Sequence, residues 1–97
     1  MEEFESNGQG FTITFENGTK ISVQFGYGNY CDNKVVKQQT NGYTKSSDAE
    51  VRIDDKDGNW ITKQYENGCD DVLGYRSPNE VVDAINWTKN YDKTHPV

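Results

Sequence analysis

Two short runs alternate strictly between apolar and polar residues. In "FTITFENGTKISVQF", Phe11, Ile13 and Phe15 alternate with Thr12 and Thr14, and Ile21, Val23 and Phe25 alternate with Ser22 and Gln24. Period-two alternation over this length predicts half-buried strands. Between the runs stands "ENGT", where Asn17-Gly18 suits the positive φ of a tight hairpin turn. The hairpin carries its six apolar side chains on one face and needs a cover for it. A second hairpin is predicted over "AEVRIDDKDGNWIT": Val51 and Ile53 point one way, Glu50, Arg52 and Asp54 the other, Asp57-Gly58 turns, and Trp60 opens the return strand. Asn67-Gly68 reads as one more turn, with Val72 and Leu73 anchoring the segment to the core.

The period changes near the C-terminus. In "RSPNEVVDAINWTKNYDK", Ser77 is placed to cap a helix, Pro78 to occupy its first turn, and Glu80 to complete a capping box. Val81, Val82, Ala84 and Ile85 form an apolar stripe, and Asn79, Asp83, Asn86 and Asn90 lie opposite. Trp87 and Tyr91 shoulder the stripe, and Lys89 and Lys93 suit the negative end of the helix dipole. The reading is a single α+β domain over residues 1–97: an antiparallel sheet of about four strands, as two hairpins, with one C-terminal helix packed on one face. Residues 1–9 and 93–97 are expected to fray. Residues 34–48 are expected to form a mobile connection in which "KVVKQQ" is a possible short strand.

Composition narrows the function classes. The 97 residues are only 32% hydrophobic but 12% aromatic, so the core must rest on a few large side chains. Ten basic and sixteen acidic residues give a net charge of −6. That charge opposes direct DNA binding, which draws its affinity from Lys and Arg on phosphates. It suits solubility, or an acidic surface that meets a basic partner. No apolar run approaches a membrane span, and "MEEFESNGQG" has no signal-peptide core. The expected location is therefore the cytoplasm, with Cys31 and Cys69 reduced. Two cysteines and one histidine do not supply an ordinary four-ligand zinc site, and no motif calls for a cofactor.

The candidate chemistry lies in "FGYGNYCDN". Gly26 and Gly28 flank Tyr27, so the backbone can turn sharply and expose successive N–H groups, a geometry that binds anions. The segment lacks a Walker lysine-serine pair and a following helix. Three readings stand: a turn by which the chain leaves its strand, a small-ligand contact, or a protein-contact loop. The tyrosines favour a turn that doubles as a contact surface, because Tyr gives large contact area at low entropic cost. The candidate binding residues are Gly26, Tyr27, Gly28, Asn29, Tyr30, Asp32 and Asn33, with Tyr27, Tyr30 and Asp32 reaching outward.

Other constellations are weaker. Cys31 would need a base to act as a nucleophile, and the single histidine, His95, is near the chain end. "DDKDGN" resembles a calcium loop, but Ile53 and Gln64 stand where acidic ligands belong. Asp70 and Asp71 read as solvated. Tyr27, Tyr30, Tyr43, Tyr65, Tyr75, Trp87 and Tyr91 are more aromatics than one helix-on-sheet core needs, so some must lie at the surface as a protein-binding patch while others line the rim of the helix.

Three blocks, "ISVQFGYGNYCDN", "AEVRIDDKDGNWIT" and "DDVLGYRSPNEVVDAINW", resemble a layout found in small uncharacterised proteins of tailed phages and prophages. The likeness spans most of residues 11–90. It implies a phage-encoded protein of the host cytoplasm, and by analogy one that binds and modulates a host or anti-phage defence factor, as an anti-CRISPR protein does. It transfers no catalytic residue, and the chain is read as a non-enzyme. The alternative is a small-ligand binder that sequesters a signalling nucleotide through the glycine-rich loop.

Overall fold

The computed structural model describes residues 2–36 and 44–92. Tyr43, Lys93, His95 and the middle of the 34–48 connection lie outside the described residues. The fold is α+β, a five-stranded antiparallel sheet in the order β1-β2-β3-β4-β5 with a C-terminal helix across one face. The strands are β1 (Glu3–Ser6), β2 (Gly10–Thr14), β3 (Lys20–Gln24), β4 (Ala49–Asp54) and β5 (Leu73–Arg76). The helices are α1 (Thr62–Tyr65) and α2 (Pro78–Lys89).

The first hairpin forms as its alternation requires. Phe11 pairs with Val23 and Ile13 with Ile21, and Gly18 turns the chain at φ 85°. Across the next ladder Ile21 meets Ile53 and Val23 meets Val51. These four central residues are buried, with Ala49, Ile61, Leu73, Val81 and Ala84 around them. Each fully buried aliphatic of this kind contributes about 1.5–3 kcal/mol relative to exposure.

Three expectations need correction. The segment expected to fray contains β1, whose Phe4 pairs with Ile13 as an added edge strand. "KVVKQQ" is not a strand where it is described: residues 32–36 are turns closed by Lys34 N–H to Cys31 O and Val36 N–H to Asn33 O. The second hairpin fails after one bridge, Asp54 with Trp60. Its physical cause is Thr62. The Ile61 N–H still bonds Ile53 O at 2.8 Å, but the Ile53 N–H is taken by the Thr62 hydroxyl at 3.1 Å. A side-chain oxygen thus replaces the backbone acceptor, and the chain turns into α1. The place beside β4 is filled instead by β5, from Leu73 opposite Val51 to Arg76 opposite Ala49, with an irregularity between.

Helix α2 starts as its punctuation predicts. Ser77 Oγ accepts from the Glu80 N–H at 3.2 Å, and Glu80 Oε1 accepts from the Ser77 N–H at 2.8 Å. That bond to the Ser77 N–H holds the Glu80 carboxyl below its ordinary value. The buried stripe is Val81, Ala84 and Thr88, with Ile85 half-buried beside it. Val82, expected in the stripe, is exposed. The i, i+3, i+4, i+7 positions from Val81 make the inward face, and Val82 falls one step outside it. The helix ends at Lys89, short of the expected extent, and there the first hairpin's turn fastens it. Thr19 Oγ1 donates to Thr88 O at 2.8 Å, and Asn17 Nδ2 donates to Lys89 O and Tyr91 O at 3.2 and 3.1 Å. The turn therefore satisfies carbonyls that a helix end leaves unpaired.

Candidate functional site

The chain leaves β3 at Gln24 and folds into a tight knot over residues 26–36. Gly26 is buried, and its φ is not left-handed; a Cβ there would sit 2.4 Å from Gln9 Oε1, so the missing side chain makes room for Gln9. Gly28 has φ 88° and supplies the one left-handed turn of the loop. The expectation that both glycines free the backbone around Tyr27 therefore holds for Gly28 alone.

Internal hydrogen bonds consume the loop's backbone. The Gly26 N–H donates to Asn29 Oδ1 at 3.0 Å, Gly28 N–H to Lys34 O at 3.0 Å, and Cys31 N–H to Asn29 O at 2.8 Å. Tyr30 N–H donates to Glu50 Oε2 at 3.2 Å and Asp32 N–H to Asp48 Oδ1 at 2.7 Å. Asn33 Nδ2 bridges Phe25 O and Lys45 O, each at 2.8 Å, and so ties the loop to the incoming strand segment. A nest for an anion needs unengaged N–H groups, and eight of those in residues 26–36, Asn29, Lys34 and Val36 included, donate to acceptors of the same chain. This geometry weighs against the phosphate-cradle reading.

The loop instead presents aromatic surface from a fixed base. Tyr27 is 50% exposed and Tyr30 48%. Tyr75, on β5, joins them at 54%. Its N–H donates to Tyr30 O at 2.9 Å, and the Tyr30 side chain lies over Gly74, where a Cβ would approach the Tyr30 Cβ at 3.1 Å. Tyr75 has φ 56°, the sole non-glycine residue with positive φ among those described. A bulky residue there is a conformational outlier, and such strain persists only where the surroundings enforce it. The surroundings here are specific. Arg76 forms a bidentate pair with Glu66, Nη1 to Oε1 at 2.7 Å and Nη2 to Oε2 at 2.6 Å, and Ser77 begins the capping box one residue later. The same hydrogen bonds hold the Glu66 carboxyl below its ordinary value.

Carboxylates underlie the tyrosines. Glu50 and Asp48 accept from the loop's backbone, and Asp32 is exposed and accepts from Ser47 Oγ. Lys34 Nζ lies 5.3 Å from the Tyr30 ring centre, and the next two residues, Val35 and Val36, are exposed. Aromatic faces among carboxylates suit arginine, which stacks on the ring and pairs with the acid at once.

Three further aromatics, Tyr65, Trp87 and Tyr91, are accounted for by packing. Tyr65, Trp87 and Tyr91 form a ladder with ring centres 5.3 and 5.2 Å apart, and the Tyr91 hydroxyl donates to Gln64 Oε1 at 2.9 Å. Burial pushes the Tyr65 phenol upward, with the Asp83 charge adding to it. Trp60, expected to open a strand, instead lies exposed on the polar face with the Arg52 guanidinium 4.8 Å from its ring centre. Arg52 is also tied to Asp54, by an Nη2–Oδ2 hydrogen bond and a poorly directed Nε–Oδ1 contact, both 3.2 Å.

The cysteines sit in packing positions. Cys31 is buried, with its Sγ 3.7 Å from Gly26 O. Cys69 is half-buried, and burial followed by the Glu66 charge pushes its thiol upward, the opposite of activation. Among the described residues no cluster of His, Cys, Asp and Glu is arranged to hold a metal ion, and no helix is long and apolar enough to cross a membrane. A cleft of about 520 Å³ between the hairpin turns and the end of α2 is lined by Asn17, Thr19 and Asp55. The side chains of Asn17, Thr19 and Asp55 are engaged in capping and turn bonds, Asp55 Oδ1 accepting from the Asp57 and Asn59 N–H groups. Comparison with protein-family models, with curated proteins and with solved structures finds no match to this chain.

Sequence reasoning named Tyr27, Tyr30 and Asp32 but placed Tyr75 only in a general excess of aromatics. Its partnership with Tyr30 depends on the β4–β5 irregularity, which no local pattern in "VLGYRS" announces beyond the glycine before it.

Proposed function

We propose that this chain is an acidic protein-binding module that acts by occupying a basic surface of its partner, with Tyr27, Tyr30 and Tyr75 as anchors. The observation that carries the reading is the Tyr30–Tyr75 junction. Two half-exposed tyrosines are locked together through the backbone, one at φ 56°, and a capping box and a bidentate ion pair hold that strained geometry. Strain retained at an exposed aromatic marks a surface maintained for contact. The carboxylates around it, with the net charge of −6, favour a partner rich in arginine and lysine and speed the encounter. Taken with the likeness to small phage proteins, the partner class is a host or anti-phage defence protein, and the mode of action is inhibition or modulation by blocking, in the cytoplasm of the host.

Capture of host proteins on immobilised chain tests this. A partner is expected to be retained by the wild type, released by raised salt, and absent from a folded Tyr27→Ala/Tyr30→Ala/Tyr75→Ala variant. Equal retention by that variant overturns the assignment of the site.

A further inference from the structure

The opposite edge of the sheet carries a second surface. Phe4, Ile13, Ile21 and Ile53 lie in one row across β1 to β4. Burial falls along that row: Ile53 and Ile21 are fully buried, Ile13 is half-buried, and Phe4 is 82% exposed. The cause is the placement of α2, which rests on β3, β4 and β5. The apolar face thus continues past the helix and ends on an uncovered phenylalanine. β1 is also the outermost strand of the sheet, and its far side offers backbone groups to a further strand.

The other face of β1 identifies the occupant. Glu3 and Glu5 lie opposite Thr14 and Thr12, away from Phe4. A second copy of this chain fits badly. Antiparallel β1–β1 pairing that keeps the apolar faces together sets Glu3 against Glu5, or either residue against itself, and like charges directly opposite are destabilising. A strand that alternates basic and apolar residues fits both faces: its cations meet Glu3 and Glu5, and its apolar side chain lies on Phe4. We propose that the β1 edge binds an extended basic peptide segment by strand addition, reading a basic–apolar–basic alternation. The surface stands apart from Tyr75, which lies on the other edge strand, so the two assignments fail or hold independently.

The test uses the full chain, labelled with ¹⁵N, and the capped peptide Arg-Ile-Arg-Ile-Arg. Amide shift changes are expected along Glu3–Ser6 and on the paired β2 residues. Methylating alternate peptide nitrogens preserves charge and side chains but removes ladder donors, and is expected to abolish these changes. Glu3→Lys/Glu5→Lys is expected to weaken binding at least about tenfold, while a charge-matched Asp70→Lys/Asp83→Lys variant binds as the wild type does. Binding that survives N-methylation, shifts scattered over the acidic surface, an equal loss in both charge variants, or no binding at all would overturn the proposal. So would a wild-type dimer, seen in sedimentation, whose interface maps to β1.

Discussion

Removing the Tyr75 side chain in two ways isolates the strain at the proposed binding surface. Tyr75→Ala and Tyr75→Gly both delete the ring and its partial burial, so those losses cancel between them. What differs is the backbone at φ 56°. An L-residue in the left-handed region costs roughly 1–2 kcal/mol, which glycine escapes. Glycine in an ordinary strand is worse than alanine by roughly 0.5–1 kcal/mol, through the entropy of the unfolded chain. Subtracting the second from the first favours Tyr75→Gly by roughly 0–1.5 kcal/mol, about 0.75 kcal/mol at the midpoints of the two ranges. At Thr12, in a regular part of β2, the order is expected to invert, with Thr12→Ala above Thr12→Gly. Equilibrium urea unfolding of the four variants reads both differences, provided the slopes agree. If Tyr75→Ala exceeds Tyr75→Gly while the Thr12 control behaves, Tyr75 is not held in a left-handed conformation, and the argument from retained strain collapses.

Three further outcomes are expected. Ser77→Ala should lower unfolding free energy by about 1 kcal/mol through loss of the Ser77–Glu80 cap; wild-type stability in urea would mean that the box contributes nothing. The depressed Glu66 carboxyl stabilises the fold fully above its ordinary value near 4.5, and that contribution fades as pH falls through the lower folded value. Wild type should therefore melt above Glu66→Gln at neutral pH and converge with it in acid, and parallel melting curves from pH 7 to pH 3 would refute the pairing with Arg76. Both thiols are free, with Cys31 buried and Cys69 half-buried, so an aromatic disulfide reagent should find two per chain only after denaturation; fast modification of the native protein at Cys31 would contradict its burial.

The parts of the fold that local chemistry dictates were legible in the sequence. The first hairpin follows from alternation around Asn17-Gly18, and α2 from Ser77, Pro78 and Glu80. What escaped depends on competition between elements. The return strand after Gly58 has the composition of a strand and is cut off by the Thr62 hydroxyl at Ile53. β1 is a polar segment whose pairing follows from an open edge on β2 rather than from its own pattern. Val82 is apolar and one residue off the buried stripe, a phase that depends on where the helix crosses the sheet. The candidate site divides in the same way. Tyr27 and Tyr30 could be read from loop composition, but the Tyr30–Tyr75 contact joins residues 45 positions apart across an irregular ladder.

The central claim is that Tyr27, Tyr30 and Tyr75 anchor this chain to a basic partner. Titration calorimetry of the partner recovered by capture, against the wild type and the single variants Tyr27→Ala, Tyr30→Ala and Tyr75→Gly, tests it most directly. The account predicts that each substitution weakens binding by more than about 1 kcal/mol while thermal unfolding stays within a few degrees of the wild type, and that affinity falls as salt rises. Unchanged affinity in all three folded variants would contradict it, and would move the binding surface away from the loop that follows β3.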